Sequence, residues 1–504
     1  MKRLASLLIA AASLAFGSCN LDVFPKDRLE QTQALQSLDD LYNFEVGAYA
    51  RFKNMFQLFN IIGGDIQADY VNAVTGFSNN YGSLHRWSFT AADYDTTDTW
   101  DYAYFAIAQC CFIIDNAPNI QFEDASEAAE GNYIIGEAYL MRAIANHMLA
   151  LKFCDSYTKG NTTNPHTGLP KVDSYEPTAM PERETLEETY ARILEDIREA
   201  KSRMAGETGY PNAEWLTEDC VTALEAQVYL AMGNYSAALT AANTLINSGN
   251  YALVDSAEEL VDMWTYDVGD EIIFVFGASQ TSLPPQFGYY FNYDRNSKDD
   301  AFEPDYIPTQ ATVDMFDDAD YRKEAYFYQT SGGDLQIGGK KISTPAYLIN
   351  KYPGNPDLRT SAAKNYRNAF KLFRLAEMYL IAAEAAAQTG GDAATPLNEL
   401  RAHRGLPALG SVTLADVKEE RFRELMFEGN RIADLRRWGD PVVRGAAQQG
   451  KNEEGEDYAL ASPGEFFDQL NLPASDYRLV WPIPETAIYA NQNLKGQQNP
   501  GWER

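Results

Sequence analysis

The chain's 504 residues, 45% of them hydrophobic, are enough to bury a large core, and 41 Lys and Arg against 72 Asp and Glu leave a formal net charge of −31. That balance speaks against nucleic acid as a partner, because binding phosphates takes a basic surface. Five cysteines in so long a chain exclude a disulfide framework.

The first predicted element is a leader. Lys2 and Arg3 precede an apolar stretch from Leu4 to Phe16, the proportions of a secretory signal peptide over residues 1–18 rather than of a membrane span. Phe16-Gly17-Ser18-Cys19 resembles a bacterial lipobox, which makes Cys19 the expected lipid anchor, although Phe16 stands where an aliphatic residue is usual. Residues 63–100 then read as irregular and hold a mixture of polar and aromatic side chains: Asp65, Asp69, Tyr70, Asn79, Asn80, Tyr81, His85, Arg86 and Trp87. Trp100 and Tyr104 follow on a helix and are expected in its core. Cys110 and Cys111 point to different sides of that helix and are read, with Cys154 and Cys220, as buried free thiols.

From Gly131 to Tyr157, Ile135, Tyr139, Ala143, Asn146 and Leu149 recur at the three-and-four spacing of an amphipathic helix. A loop over 158–181 leads to Thr185, which with Glu188 three residues on forms a capping box for the next helix. Residues 220–253 make the clearest repeat, about the 34 residues of a tetratricopeptide unit: Ala226 and Tyr229 on one helix, Gly233-Asn234-Tyr235 as the turn, Ala238 and Ala242 on the next. A weaker relative starts at Phe373, with Gly390-Gly391 as its turn. Between them, residues 264–366 are irregular apart from a short buried strand over Glu271–Phe276.

A helix pair cannot bury its apolar face alone, so such pairs must stack. The expected fold is therefore mainly α: tetratricopeptide-like helical-pair repeats forming a curved scaffold, with irregular loops and a few short strands on one side. It forms a single domain over 19–504, with helical arrays near 131–253 and 370–440 and a ligand-binding region near 63–100 and 264–366.

No nucleophile elbow, phosphate-binding glycine loop or HExxH motif occurs, and 72 acidic residues offer no motif that selects a catalytic pair. No catalytic residue is assigned. The loop aromatics suggest a different chemistry, since sugars bind through rings stacked on pyranose faces and through nearby groups that bond hydroxyls. The candidates are Asn80, Tyr81, Trp87, Trp264, Tyr289, Tyr290, Tyr293 and Arg295. His85 has no Cys or His partner at ligand spacing and is read as a solvated loop histidine.

Residues 420–439, ERFRELMFEGNRIADLRRWG, resemble the signature of the SusD/RagB family, and the helix at Ala394–Arg404, the closing segment from Val480 to Trp502, LDVFPKD after Cys19 and Trp100-x-x-x-Tyr104-x-x-Ile107 also fit. On a helix, Arg421, Glu424, Glu428 and Arg431 would stack opposite charges along one side, an internal ion network that docks the segment, with Trp438 capping it. The resemblance implies a non-catalytic, cell-surface glycan-binding lipoprotein, held in the outer membrane by its lipid and facing the exterior. It would capture oligosaccharide for a SusC-like TonB-dependent transporter. The alternatives are a RagB-like peptide receptor and an all-helical glycoside hydrolase. The family site has no fixed motif, so no ligand residue carries over. No cofactor is implied, and a structural calcium ion stays open.

Overall fold

The computed structural model describes residues 34–292, 294–296, 301–361 and 364–503. Cys19 and Tyr293 lie outside them, and Arg295 is described only as part of the short strand Asp294–Asn296. Twelve helices of eight or more residues occur among the described residues: α1 Leu38–Met55, α2 Leu58–Gln67, α3 Tyr94–Asn116, α4 Ala125–Phe153, α5 Leu186–Arg203, α6 Glu218–Met232, α7 Tyr235–Ile246, α8 Ala257–Tyr266, α9 Leu375–Thr389, α10 Ala394–Ala402, α11 Leu414–Glu424 and α12 Arg431–Trp438.

Their boundaries follow from capping chemistry. Ser37 with Asp40 opens α1 and Thr185 with Glu188 opens α5, each as a reciprocal capping box. Gly233, at φ 72°, closes α6, and the Asn234 side chain accepts from Ala237 N–H to start α7, the turn expected from the sequence. Helices then pack in series, α1 on α3, α3 on α4, α4 on α5, α5 on α6, α6 on α7 and α7 on α9, with α10 and α11 against α9. Ala238, Ala241 and Ala242 on α7 and Ala382, Ala383, Ala385 and Ala386 on α9 are buried, so two helices made of small residues approach closely and bury their stripes together. The result is the expected mainly helical, tetratricopeptide-like stack.

Two expectations need correction. Residues 63–100 are not a continuous loop. Gly63 and Gly64 lie buried inside α2 rather than at a turn. The charged signature is not one helix either. It breaks between α11 and α12, where Phe427 (φ 60°) and Gly429 (φ 85°) take left-handed conformations.

That break turns Glu424 and Glu428 inward on common partners. Arg322, Arg374 and Arg404 meet Glu424 at 3.1, 2.9 and 2.9 Å, while Arg374 and Lys351 meet Glu428 at 2.5 and 2.7 Å. Arg404 and Arg374 also share Glu271, which precedes β2 (Ile272–Val275), and Arg374 ends β4 (Lys371–Arg374), the antiparallel partner of β2. The internal ion network is therefore real, but its partners come from distant segments instead of from one helix face. Arg421 pairs with Asp434 at 3.0 Å and Arg431 with Asp69 at 2.7 Å, and Trp438 Nε1 donates to Glu384 at 2.8 Å. Cys110, Cys111, Cys154 and Cys220 are free and buried.

Candidate functional site

The two irregular stretches meet through one pairing. β1 (Val71–Ala73) runs antiparallel to β3 (Tyr306–Pro308), with Asn72 opposite Ile307, and Val74 N–H continues the ladder to the Asp305 carbonyl at 2.9 Å. Below the junction, Val74, Ile307, Leu335, Ile337, Ile342 and Leu348 form a small core separate from the main one. This apolar floor fixes the loops that leave it.

Above it opens a cavity of about 590 Å³ lined by the Thr75–Ser78 turn, Asn80, Tyr289, the Glu303–Asp305 turn, Gln336 and Gly338. Its walls are tied to one another. The Asp305 carboxylate accepts from Ser78 N–H at 2.6 Å and from the Ser78 hydroxyl. The Tyr306 hydroxyl donates to the Asn80 carbonyl, and Arg86 donates to Asn79 Oδ1 at 2.6 Å. Asp305 N–H donates to the Tyr290 carbonyl at 2.9 Å, which joins the short helix Tyr289–Asn292 to the same wall.

Three tyrosines expected at the site, Tyr81, Tyr290 and Tyr289, form a connected series that ends on Tyr366, a residue not singled out from the sequence. Tyr81 meets Tyr290 edge-on at 5.3 Å, Tyr290 meets Tyr289 at 5.3 Å, and Tyr289 meets Tyr366 at 5.8 Å. Burial, then the neighbouring phenols and carboxylates, raises the hydroxyl pKa of Tyr81 and Tyr290, so both keep their protons and can act as hydrogen-bond donors. Asn79, Tyr81 and Tyr366 sit at φ 69°, 54° and 55°. Left-handed non-glycine residues cost on the order of 1–3 kcal/mol each and persist where surrounding contacts over-determine them. At Asn79 the Arg86 hydrogen bond to its side chain is one such contact.

Two sequence candidates, Trp87 and Trp264, lie elsewhere. Trp87 is 1% exposed and its indole N–H donates to the Gln67 carbonyl at 2.9 Å; it is a core residue at the end of α2. Trp264, also 1% exposed, underlies the ion network, with Lys351, Lys371 and Arg374 at 4.3, 4.6 and 5.3 Å from its ring, a cation–π floor. His85 is buried, not solvated. Its Nε2 accepts from Ala73 N–H at 3.2 Å, and burial, then the neighbouring Arg444, holds it neutral. Asp65 and Asp69 are likewise structural: Asp65 accepts from Gly429 N–H at 3.0 Å, and burial pushes its carboxyl up to about 7.

Sequence reading missed the Glu303–Asp305 wall and Arg444. Arg444 is buried and donates to the carbonyls of Gln67, Ala68 and His85 at 2.9, 2.9 and 3.0 Å, tying the C-terminal end of α2 to the helix Gly82–His85 that leads out of the site. Nothing local in the sequence marks it. Gly76 and Gly338, whose backbones approach so closely that a Cβ on Gly76 would lie 3.3 Å from Gly338 Cα, were the available signal for the cavity wall. No group of three or more His, Cys, Asp or Glu able to hold a metal ion occurs among the described residues, and no described helix is long and apolar enough to cross a membrane.

A cavity lined by Tyr289, with carboxylate, amide and hydroxyl groups at its edge, can hold a polyhydroxylated ligand. Comparison with known proteins agrees with the fold. SusD-like protein P38 of Formosa agariphila is 24% identical over 497 residues, covering 87% of this chain and 91% of the relative. Starch-binding protein SusD of Bacteroides thetaiotaomicron is 33% identical over 133 residues, covering 26% of this chain and 21% of that protein. The crystal structure of a SusD superfamily protein from Bacteroides thetaiotaomicron superimposes with a TM-score of 0.75 at 24% identity, covering 92% of this chain and 100% of the other. The SusD family model matches residues 119–502, and the chain belongs to that family.

Proposed function

We propose that this protein is a non-catalytic, cell-surface glycan receptor that captures oligosaccharide in the cavity between the two irregular stretches. The observation that carries the reading is the cavity itself, which Asn80 and Tyr289 line together although more than two hundred residues of chain separate them. A preformed cavity with a few convergent polar groups is the usual form of a small-ligand site, and a tyrosine face suits a pyranose ring. The starch-binding function named for one relative fits the same chemistry. In this reading Cys19 carries the lipid that anchors the protein to the outer membrane, facing outward, and a SusC-like TonB-dependent transporter takes the cargo.

Isothermal titration calorimetry of the purified protein with maltoheptaose, cellohexaose, xylohexaose and laminarihexaose tests this. One panel member should bind saturably without being cleaved, and Tyr289→Ala or Asn80→Ala should weaken it about tenfold or more, equivalent to about 1.4 kcal/mol. Undiminished binding in both folded variants removes the cavity from the reading; preference for peptides over every glycan indicates a RagB-like receptor, and cleavage indicates a hydrolase.

A further inference from the structure

A second cleft, of about 900 Å³, lies on the helical face between the start of α4, the end of α5 and residues 205–217. It shares no lining residue with the first cavity. Trp215 forms its wall at 47% exposure, the most exposed of the seven tryptophans, beside Tyr210 at 53% and half-buried Tyr133. An uncovered Trp next to an uncovered Tyr is costly, because such rings are among the largest apolar surfaces a chain has.

The segment that carries Trp215 is held rigidly. Both backbone groups of the next residue are pinned: Leu216 N–H donates to the Tyr49 hydroxyl at 2.8 Å, and the Tyr133 hydroxyl donates to the Leu216 carbonyl at 2.7 Å. Tyr49 in turn donates to buried Glu137 and meets the Trp215 ring edge-on at 4.6 Å. A ring held in place before any ligand arrives loses little entropy on binding. Around the rings stand planar polar groups. Arg203 donates to Asn132 Oδ1 at 3.1 Å and Glu199 Oε2 at 3.3 Å, while its Nε is buried without a partner; Glu130 and Glu207 line the same cleft, exposed. Carboxylates and a guanidinium beside aromatic faces are the groups that bond vicinal hydroxyl pairs while a ring covers the pyranose.

We infer that this cleft is a second oligosaccharide-binding groove, with Trp215 and Tyr210 as its stacking platform. The inference rests on the glycan-receptor reading above, and adds that one chain engages a polymeric glycan at two places, which raises avidity without new contacts at either.

The test repeats the four-glycan titrations on Asn80→Ala/Tyr289→Ala, on Trp215→Ala and on Tyr210→Ala, the last at an exposed position that leaves the Tyr49 contact in place, with circular dichroism to confirm folding and tryptophan fluorescence as a second readout. The expected result is that Asn80→Ala/Tyr289→Ala retains a site that perturbs Trp fluorescence, and that Trp215→Ala and Tyr210→Ala each weaken that site about tenfold. If all binding disappears in Asn80→Ala/Tyr289→Ala while Trp215→Ala and Tyr210→Ala match the unaltered protein, the second groove is overturned and the receptor reading stands. If only the Trp215 and Tyr210 variants lose binding, the groove stands and the first cavity loses its assignment. If no panel glycan binds any form, both fall.

Discussion

Glu424→Gln probes the ionic frame at its centre. Arg322, Arg374 and Arg404 all contact this carboxylate, and all four side chains are buried. Glutamine keeps the shape and removes one negative charge, leaving three guanidinium groups to share Glu271, Asp320, Glu420 and Glu428, of which Glu420 is already engaged by Arg401 and Arg423. Removing one partner from a buried ion pair costs about 3–5 kcal/mol, because the remaining charge stays desolvated and uncompensated. Urea unfolding followed by circular dichroism should show a loss of that size at neutral pH with an unchanged m-value. The pH profile carries the same information. Burial opposes ionisation of Glu424, but Arg404 and Arg374 together outweigh it and hold its carboxyl well below the ordinary value of 4.5. A depressed carboxyl stabilises the fold above its unfolded value and loses that contribution as pH falls through the folded one. The unaltered protein should therefore lose stability on acidification below 4.5, and Glu424→Gln should lose less over the same interval. A variant within about 0.5 kcal/mol of the parent at neutral pH, the range of an ordinary surface change, with an unchanged acid slope, would refute the assignment of Glu424 as the hub.

Trp87→Ala should cost about 3–5 kcal/mol in denaturant midpoint, the range for emptying a buried aromatic site, while glycan affinity of the folded fraction stays within twofold; a lost affinity at unchanged stability would return Trp87 to the binding site. Glu137→Gln tests a buried carboxyl whose pKa burial first, and Glu45 next, raises well above 4.5. The folded state there keeps a proton that the unfolded chain releases, so its contribution is full below 4.5 and erodes with rising pH, by up to about 1.4 kcal/mol per unit. Thermal melts of Glu137→Gln should consequently fall less steeply than those of the parent from about pH 5 to pH 8, and parallel curves would count against the shift.

Much of the helical stack is legible because its signals are local. The Thr185–Glu188 box and the Gly233-Asn234 turn need only three or four neighbouring residues to work, and the 220–253 repeat became α6 and α7 nearly as read. The site is less legible, since its two walls are brought together by the pairing of Asn72 with Ile307, a contact that no local pattern encodes. Residue type alone also misled. Trp87 and Trp264 have the chemistry of a sugar platform, but exposure decides whether a ring can stack, and exposure depends on partners such as Gln67, Lys351 and Lys371 that are 20 or more positions away in the chain. The signature segment shows the same limit from the other side: Glu424 and Glu428 fit a helical charge stripe, yet the left-handed turn at Phe427 directs them to arginines contributed by three other segments.

These two failures have one physical origin, and it bears on how the protein holds a ligand. Buried charges add little net stability but strongly penalise any arrangement that leaves one unpaired, so the Glu424 network acts on the alternatives to the native packing more than on its depth. The segments it locks include β4, Lys351 and Tyr352, and the Tyr352 carbonyl lies so close to Gly288 that a Cβ there would approach it to 2.2 Å. Gly288 immediately precedes Tyr289. The ionic frame thereby fixes the base of the helix that presents Tyr289 and Tyr290, while Asp305 and Tyr306 tie that helix to the Ser78–Asn80 turn. A loop site supported on both sides in this way can keep Asn79, Tyr81 and Tyr366 in left-handed conformations without ligand, and the ligand then binds a shape that the folding of distant charged residues has already set.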